Sequence, residues 1–368
     1  MQNIFGPLDQ SFWYNKNVFI TGHTGFKGSW LALWLQKLGA NVFGYALEPD
    51  TRPNMYTLSK VGFGMESTIG DIMDFQKLHK SLCQARPEIV FHLAAQPLVL
   101  EGYASPRNTY LTNIMGTVNL FESIRKIPTV RSVINITSDK CYENTNDLSI
   151  FSEDDPLGGN DPYSSSKASS EIITKSYRRS FFDKKKVGVA TARSGNVIGG
   201  GDWGANRLVP DALSAFRSKV PLVIRNATHV RPWQHVLDPL RGYLLLAQSL
   251  FISREQFNGA WNFGPSDEGN LTVLDIVKIL SQQWGQSASW VIDESDSQHE
   301  EKFLGLNAHK AEVRLGWQTA LTAESACTYI VDWYQNFVEG NDLHGFSLRQ
   351  IDEYVSHIKK QSKENISS

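Results

Sequence analysis

The chain has 368 residues, 41% hydrophobic and 20% charged, a globular composition that excludes a disordered or fibrous protein. Thirty-six Lys and Arg against thirty-eight Asp and Glu leave a formal charge of -2, which removes any bulk electrostatic case for a nucleic-acid or anionic-membrane partner. Three scattered cysteines (Cys83, Cys141, Cys327) without CxxC spacing argue against a disulfide framework or a structural zinc site. At about 150 residues per domain the length suggests two domains. Met1 to Gln10 hold neither a basic region nor an apolar run, and no stretch has the apolar length of a bilayer span. A cytoplasmic protein is expected.

In chain order, Asn17–Thr21 reads as a buried strand, and Gly25–Leu38 as a helix with an apolar face of Trp30, Leu31, Trp34, Leu35 and Leu38, stopped by Gly39. Strands follow at Asn41–Ala46, Met65–Ile69, Glu88–Leu93, Ser132–Thr137 and Val187–Ala192, with a helix at Phe75–Ala85. Alternating strands and helices predict an α/β fold, a Rossmann-like doubly wound parallel sheet covered on both faces. After Arg193 glycines cluster and the rhythm breaks. Helices at Leu208–Ser218 and near Asp238–Phe251, Thr272–Trp284 and Ala323–Phe337 suggest a smaller mixed α/β C-terminal domain. The expected division is a dinucleotide domain over 1–193, with segments near 228–265 returning to it, a substrate domain over 194–227 and 266–360, and a fraying polar tail over 361–368.

Two motifs carry chemistry. Gly22-His23-Thr24-Gly25-Phe26-Lys27-Gly28 stands where the first strand turns into the first helix. Its GxxGxxG spacing lets backbone approach a pyrophosphate at a helix N-terminus. Glu48, at the end of the second strand, is placed to meet an adenosine ribose, which favours NAD over NADP; an exposed loop glutamate is equally compatible. Tyr163 and Lys167 form a YxxxK pair at i and i+4, one face of a helix that Pro162 starts. A lysine ammonium there is expected to stabilise tyrosinate, lowering the phenol toward working pH for proton exchange with a sugar hydroxyl.

With these motifs in order, the chain from Val18 to about Trp333 resembles the extended short-chain dehydrogenase/reductase family, specifically its nucleotide-sugar branch. The resemblance implies a catalytic, tightly held NAD and a nucleotide-diphospho-sugar substrate. It implies cofactor contacts at Asp71 and Ile72 and along Leu93-Ala94-Ala95-Gln96, with Asn113 as a helix-stabilising asparagine. It also implies a homodimer or higher homo-oligomer through helix pairs at 105–126 and 165–182, although their apolar residues would equally suit burial against the sheet.

The fifth strand ends in Thr137-Ser138-Asp139-Lys140-Cys141-Tyr142. Epimerases of the family carry only a hydroxyl residue here, whereas its dehydratases follow it with Asp-Glu. Here Ser138 takes the hydroxyl place, Asp139 the acid place, and Lys140 replaces the glutamate, a departure similar to the family's CDP-glucose 4,6-dehydratases. Arg231-Pro-Trp-Gln-His-Val-Leu-Asp-Pro239 shares that likeness. The implied reaction oxidises C4 with Tyr163 as base, eliminates water across C5 and C6 with Asp139 as acid and Lys140 as base, and returns hydride to C6. Lys140 would then have to titrate well below about 10.4, which desolvation and nearby positive charge favour and Asp139 opposes. Thr137, Ser138, Asn196, Arg207, Leu208, Val209 and Arg231 are implied substrate contacts. His235 and His299 lack ligand-spaced partners, so no metal is expected. The rival readings are a 4-epimerase using Tyr163 and Lys167 alone and a non-catalytic NAD sensor.

Overall fold

The computed structural model describes residues 8–144, 150–265, 269–293 and 302–367; His299 lies outside them. Seven strands form one parallel sheet: β1 (Asn17–Thr21), β2 (Asn41–Ala46), β3 (Met65–Ile69), β4 (Ile89–His92), β5 (Ser132–Ile136), β6 (Gly188–Ser194) and β7 (Gly259–Phe263). Their spatial order is β7-β6-β5-β4-β1-β2-β3. In register, Val18 of β1 faces Val42 of β2 on one side and Ile89 of β4 on the other. The order in which strands are added reverses at that point, and open α/β sheets take ligands beyond the carboxyl ends of the strands at such a switch.

Helix α1 (Phe26–Lys37) runs back from β1, followed by α2 (Phe75–Ala85), α3 (Gly116–Ile124), α4 (Pro162–Tyr177), α5 (Leu208–Ser218), α6 (Leu237–Phe257), α7 (Val273–Trp284), α8 (Ala323–Val338) and α9 (Leu343–Ser367). Strands β4 to β6 and helices α1, α2, α5, α7 and α8 match their expected spans to within a residue or two, whereas α6 runs on past the expected Phe251 to Phe257. The chain end differs from expectation: the polar tail is helical through Ser367. Its effect reaches α1. Every residue from Gly28 to Leu35 is buried, so α1 is enclosed rather than one-faced, as suits a helix apolar nearly all round. The sheet covers one side, and α9 packs on the other through Tyr354, edge-on to Trp34 at 5.7 Å. A large apolar side chain fully buried this way stabilises by about 1.5–3 kcal/mol. Among the described residues no helix is long and apolar enough to cross a membrane.

Asp238, at the start of α6, binds the C-terminal part of the chain to the sheet layer. Its Oδ1 accepts from the Ala320 amide and the Tyr354 hydroxyl, each at 2.7 Å. Its Oδ2 has no hydrogen-bond partner. Burial pushes this carboxyl up to about 6, against its hydrogen bonds and the nearby Arg241 charge. An unfolded aspartate titrates near 3.9, so between about pH 4 and pH 6 the folded state holds the proton more tightly. The stabilisation is complete below that window and is lost as pH rises through it, by up to about 3 kcal/mol. Asp238→Asn keeps the acceptor and cannot ionise. Its melting temperature is expected to gain on the parent steadily as pH is raised from about 4 to about 7; a pH-independent difference would reject the buried-carboxyl account.

Candidate active site

At the β1–α1 turn the glycines are required by contact. Gly22 has φ +78, and a Cβ there would lie 2.7 Å from the Ala94 nitrogen; one on Gly28 would lie 2.1 Å from the Gly22 carbonyl oxygen. Gly25 caps α1 without a side chain, which leaves first-turn N–H groups for a ligand. A bare backbone cradle at a helix N-terminus fits a dinucleotide pyrophosphate. Gly28→Ala is expected to abolish cofactor retention, read by the nucleotide content of the purified protein; a variant that still copurifies with cofactor at parental stoichiometry would overturn this.

The other expected cofactor residues fall around the cradle. Thr24 donates to the Leu47 carbonyl at 2.8 Å, bracing the β2 end, where Glu48 is exposed. His23 is buried, bonded to Ser67 at 2.7 Å, and burial lowers it to about 4, so the ring is neutral. Asp71 caps the Met73 amide at 2.9 Å, and Ile72 is buried against Gly116. Leu93 to Gln96 line the end of β4, half-buried. Asn113 sits in a π-helical turn, Leu111–Met115. Its amide is committed to the Gln96 backbone, accepting at 2.9 Å and donating at 3.1 Å, and to Ser166 at 2.8 Å.

The catalytic candidates converge where β5 ends against α4. Asp161 caps α4, accepting from the amides of Tyr163 at 2.8 Å and Ser164 at 3.0 Å, with Pro162 in the first turn. Ser138 opens a 3-10 turn, accepting from the Lys140 amide at 3.2 Å and donating to Asp139 Oδ1 at 2.9 Å. Asp139 is 3% exposed, and its Oδ2 has no hydrogen-bond partner. Burial raises its pKa, opposed by Lys140, the Ser138 bond, Arg231 and Lys27. This carboxyl therefore leans toward the protonated form an acid needs. Lys140 lies beside it, half-buried.

Tyr163 departs from the sequence expectation. Its phenol is buried, and burial pushes it up to about 12; Asp139 adds to the rise, whereas Ser138 and Arg207 oppose it. Lys167 is not among the strongest influences on it. Its Nζ donates instead to the Ile136 carbonyl at 3.3 Å. Burial, then the neighbouring Lys27 charge, draws it down to about 8, against Cys141 and Glu171. The two side chains share a helix face, but the strand-end carbonyl claims the ammonium.

Of the substrate residues, Thr137 donates to Glu171 at 2.5 Å, turning its hydroxyl beneath the strand end. Arg231 is 4% exposed, and its charge reaches Asp139. Asn196 is half-buried, and its carbonyl accepts from the Gln234 amide at 3.2 Å. Arg207 is held by Asp202, N···O 2.9 Å. Leu208 is half-buried, whereas Val209 is 2% exposed and packs in the core. His235 is buried with its pKa lowered to about 3. Among the described residues no group of three His, Cys, Asp or Glu could hold a metal.

Sequence reading missed Ser194 and Tyr243, hydrogen-bonded to each other at 2.7 Å, with Lys27 Nζ 3.4 Å from Ser194. Tyr243 lies inside an apolar helical run that gives no signal of a polar role. Lys27 thereby links the glycine turn to the cluster around Asp139, and burial together with Arg207 lowers it to about 8.

This arrangement has close relatives. Residues 19–330 match the family model described as GDP-mannose 4,6 dehydratase. The chain belongs to that family. Among relatives of the GDP-mannose 4,6-dehydratase family, a CDP-glucose 4,6-dehydratase of Salmonella typhimurium is 46% identical, covering 95% of this chain and 99% of its own. A dTDP-glucose 4,6-dehydratase of Xanthomonas campestris is 25% identical over 90% of this chain and 97% of its own. Solved structures share the fold. An epimerase of Methanothermobacter thermautotrophicus superposes with TM-score 0.78 at 22% identity, covering 90% of this chain and 96% of its own. A Bacillus anthracis dTDP-glucose 4,6-dehydratase in complex with NAD gives 0.73 at 22%, over 88% of this chain and 98% of its own.

Proposed function

We propose that this protein dehydrates CDP-glucose to CDP-4-keto-6-deoxyglucose, with NAD regenerated in every turnover. The observation that carries the reading is the meeting of Ser138, Asp139 and Tyr163 at the end of β5, with Lys140 beside them, in a chain 46% identical to a CDP-glucose 4,6-dehydratase. Gly22, Gly25 and Gly28 with the first turn of α1 would hold the pyrophosphate, and Glu48, Asp71, Ile72 and Leu93 to Gln96 would flank the adenosine and the cleft. When bound, NAD supplies reversible oxidation at the sugar carbon, taking hydrogen from C4 and delivering it to C6.

The chain's own groups move the protons. Tyr163 takes the C4 hydroxyl proton as the ketone forms. The ketone acidifies C5–H, which Lys140 removes and later returns. Protonated Asp139 gives its proton to the departing C6 oxygen, which leaves as water. Ser138 donates to Asp139 and stands beside the Tyr163 phenol, which it favours in the ionised form, so the proton gathered at C4 has a route to restore the acid. The two titrations are coupled. A neutral Asp139 no longer raises the phenol by charge, which favours ionisation of Tyr163 when the acid is loaded. Lys140→Ala is expected to slow C5 exchange with solvent deuterium by about 10²-fold or more while single-turnover formation of the 4-keto hexose persists; loss of both together would remove Lys140 from the base role.

Mass spectrometry on CDP-glucose, with dTDP-, UDP- and GDP-sugars in parallel, tests the whole reading. Loss of one water from the CDP sugar alone is the expected result. Water loss from another nucleotide sugar would reassign the substrate, and unchanged mass with inversion at C4 would make the protein an epimerase. No change in any sugar despite bound NAD would favour a sensor.

Cytoplasmic location and a homo-oligomer belong to the same proposal. Tyr110, Met115 and Ile172 are exposed on the segments expected to build a four-helix interface, which supports a dimer. The proposed division keeps 1–193 and 228–265 with the cofactor, where β7 completes the sheet, and gives 194–227 and 266–360 to the sugar nucleotide.

A further inference from the structure

Tyr163, Lys167 and Glu171 recur every four residues along α4 and so share a face. The proposed chemistry uses Tyr163, and Lys167 is held beside it on the Ile136 carbonyl. Glu171 lies one turn deeper, 4% exposed, with all its bonds inside the protein. Its Oε1 accepts from Thr137 at 2.5 Å and Arg193 Nε at 2.9 Å; its Oε2 accepts from Thr191 at 2.7 Å and a terminal Arg193 nitrogen at 2.9 Å. Burial opposes its charge, but the Arg193 bonds and the two hydroxyls outweigh burial and keep it ionised. The other terminal nitrogen of Arg193 donates to the Tyr142 hydroxyl at 2.7 Å and the Glu153 carbonyl at 3.2 Å. Tyr142 in turn donates to Asn262 at 2.7 Å.

The network therefore joins α4 to the ends of β5, β6 and β7 and to the segment that follows Asp139. Thr137 directly precedes Ser138, and the Ile136 carbonyl before it receives Lys167. An ion pair this deep is a weak source of stability, because desolvation offsets most of the attraction. What a two-point guanidinium–carboxylate contact gives is geometry.

We propose that Glu171 and Arg193 are a positioning pair. They fix the Thr137–Asp139 strand end against the Tyr163–Lys167 face, so that the phenol and the acid address one sugar, and they touch no reacting atom. This role rests on the dehydratase reading. Displacement of about 1 Å between such groups costs about 10²-fold in rate.

The test is a double variant, Glu171→Leu with Arg193→Met, which removes both charges without leaving either one unpaired. Expected are retained cofactor and a KM for CDP-glucose close to the parent's. kcat should fall by about 10²-fold, and its alkaline limb should move to lower pH, since Glu171 no longer supports the Lys167 charge. Thr137→Val, an almost isosteric change, should lose kcat in the same direction, and Thr137→Ser should recover it. This pair decides the matter if the double variant does not fold. Parental kcat and pH profile in the double variant or in Thr137→Val would overturn the role. An inactive parent, or one acting on another sugar, would instead fault the substrate reading; for an active parent the comparison is run on the sugar it accepts.

Discussion

Tyr163→Phe is expected to lower kcat by about 10³-fold or more while the protein keeps its cofactor and its melting temperature. General acid–base groups contribute about 10²–10⁴-fold, and here no second phenol can substitute: Tyr243 is bonded to Ser194 and burial raises it. The ring itself is buried, so Phe fills the same volume and gives up only the hydroxyl. The cradle of Gly22, Gly25 and Gly28 is untouched. Single-turnover assays should find neither the 4-keto hexose nor the deoxysugar. A variant within tenfold of the parent would remove Tyr163 from the C4 step.

Asp139→Asn is expected to stop the reaction one stage later. The parent carboxyl is biased toward its neutral form by burial, so a neutral amide of the same shape should disturb the fold little. An amide is a poor acid, and water loss should slow by about 10²–10³-fold. The unreacted 4-keto hexose should then build up, trapped by borodeuteride before any loss of water. Thus Tyr163→Phe and Asp139→Asn separate oxidation from elimination on one sugar. Formation of the deoxysugar at the parental rate by the Asn variant would show that the departing oxygen takes its proton elsewhere.

Apolar runs and glycine spacing sufficed to read the first six strands, the cradle and the Tyr163–Lys167 face, because these depend on local pattern. The enclosure of α1 was not legible, since it depends on α9, whose polar surface residues hide a packing face of Ile351, Tyr354 and Ile358. Charge states escaped for the same kind of reason. The i, i+4 spacing puts Lys167 near Tyr163, but only the folded strand end supplies the Ile136 carbonyl that takes the ammonium. Burial then moves the phenol up where spacing alone had implied a lowering. Glu171 stood in plain view four residues past Lys167. Its partners Thr137 and Arg193 are remote in sequence, and nothing in either segment names the other.

The contact between α1 and α9 bears on how the protein is made. Trp34 on α1 meets Tyr354, and Lys37 meets Asp352 at 2.8 Å, so α1 is covered by a helix that leaves the ribosome long after it. The nascent nucleotide-binding unit lacks this cover on Trp34 until α9 has been synthesised. Ribosome-stalled chains ending before Leu343 should accordingly recruit hydrophobic-binding chaperones and retain no cofactor, both of which should reverse once α9 is released.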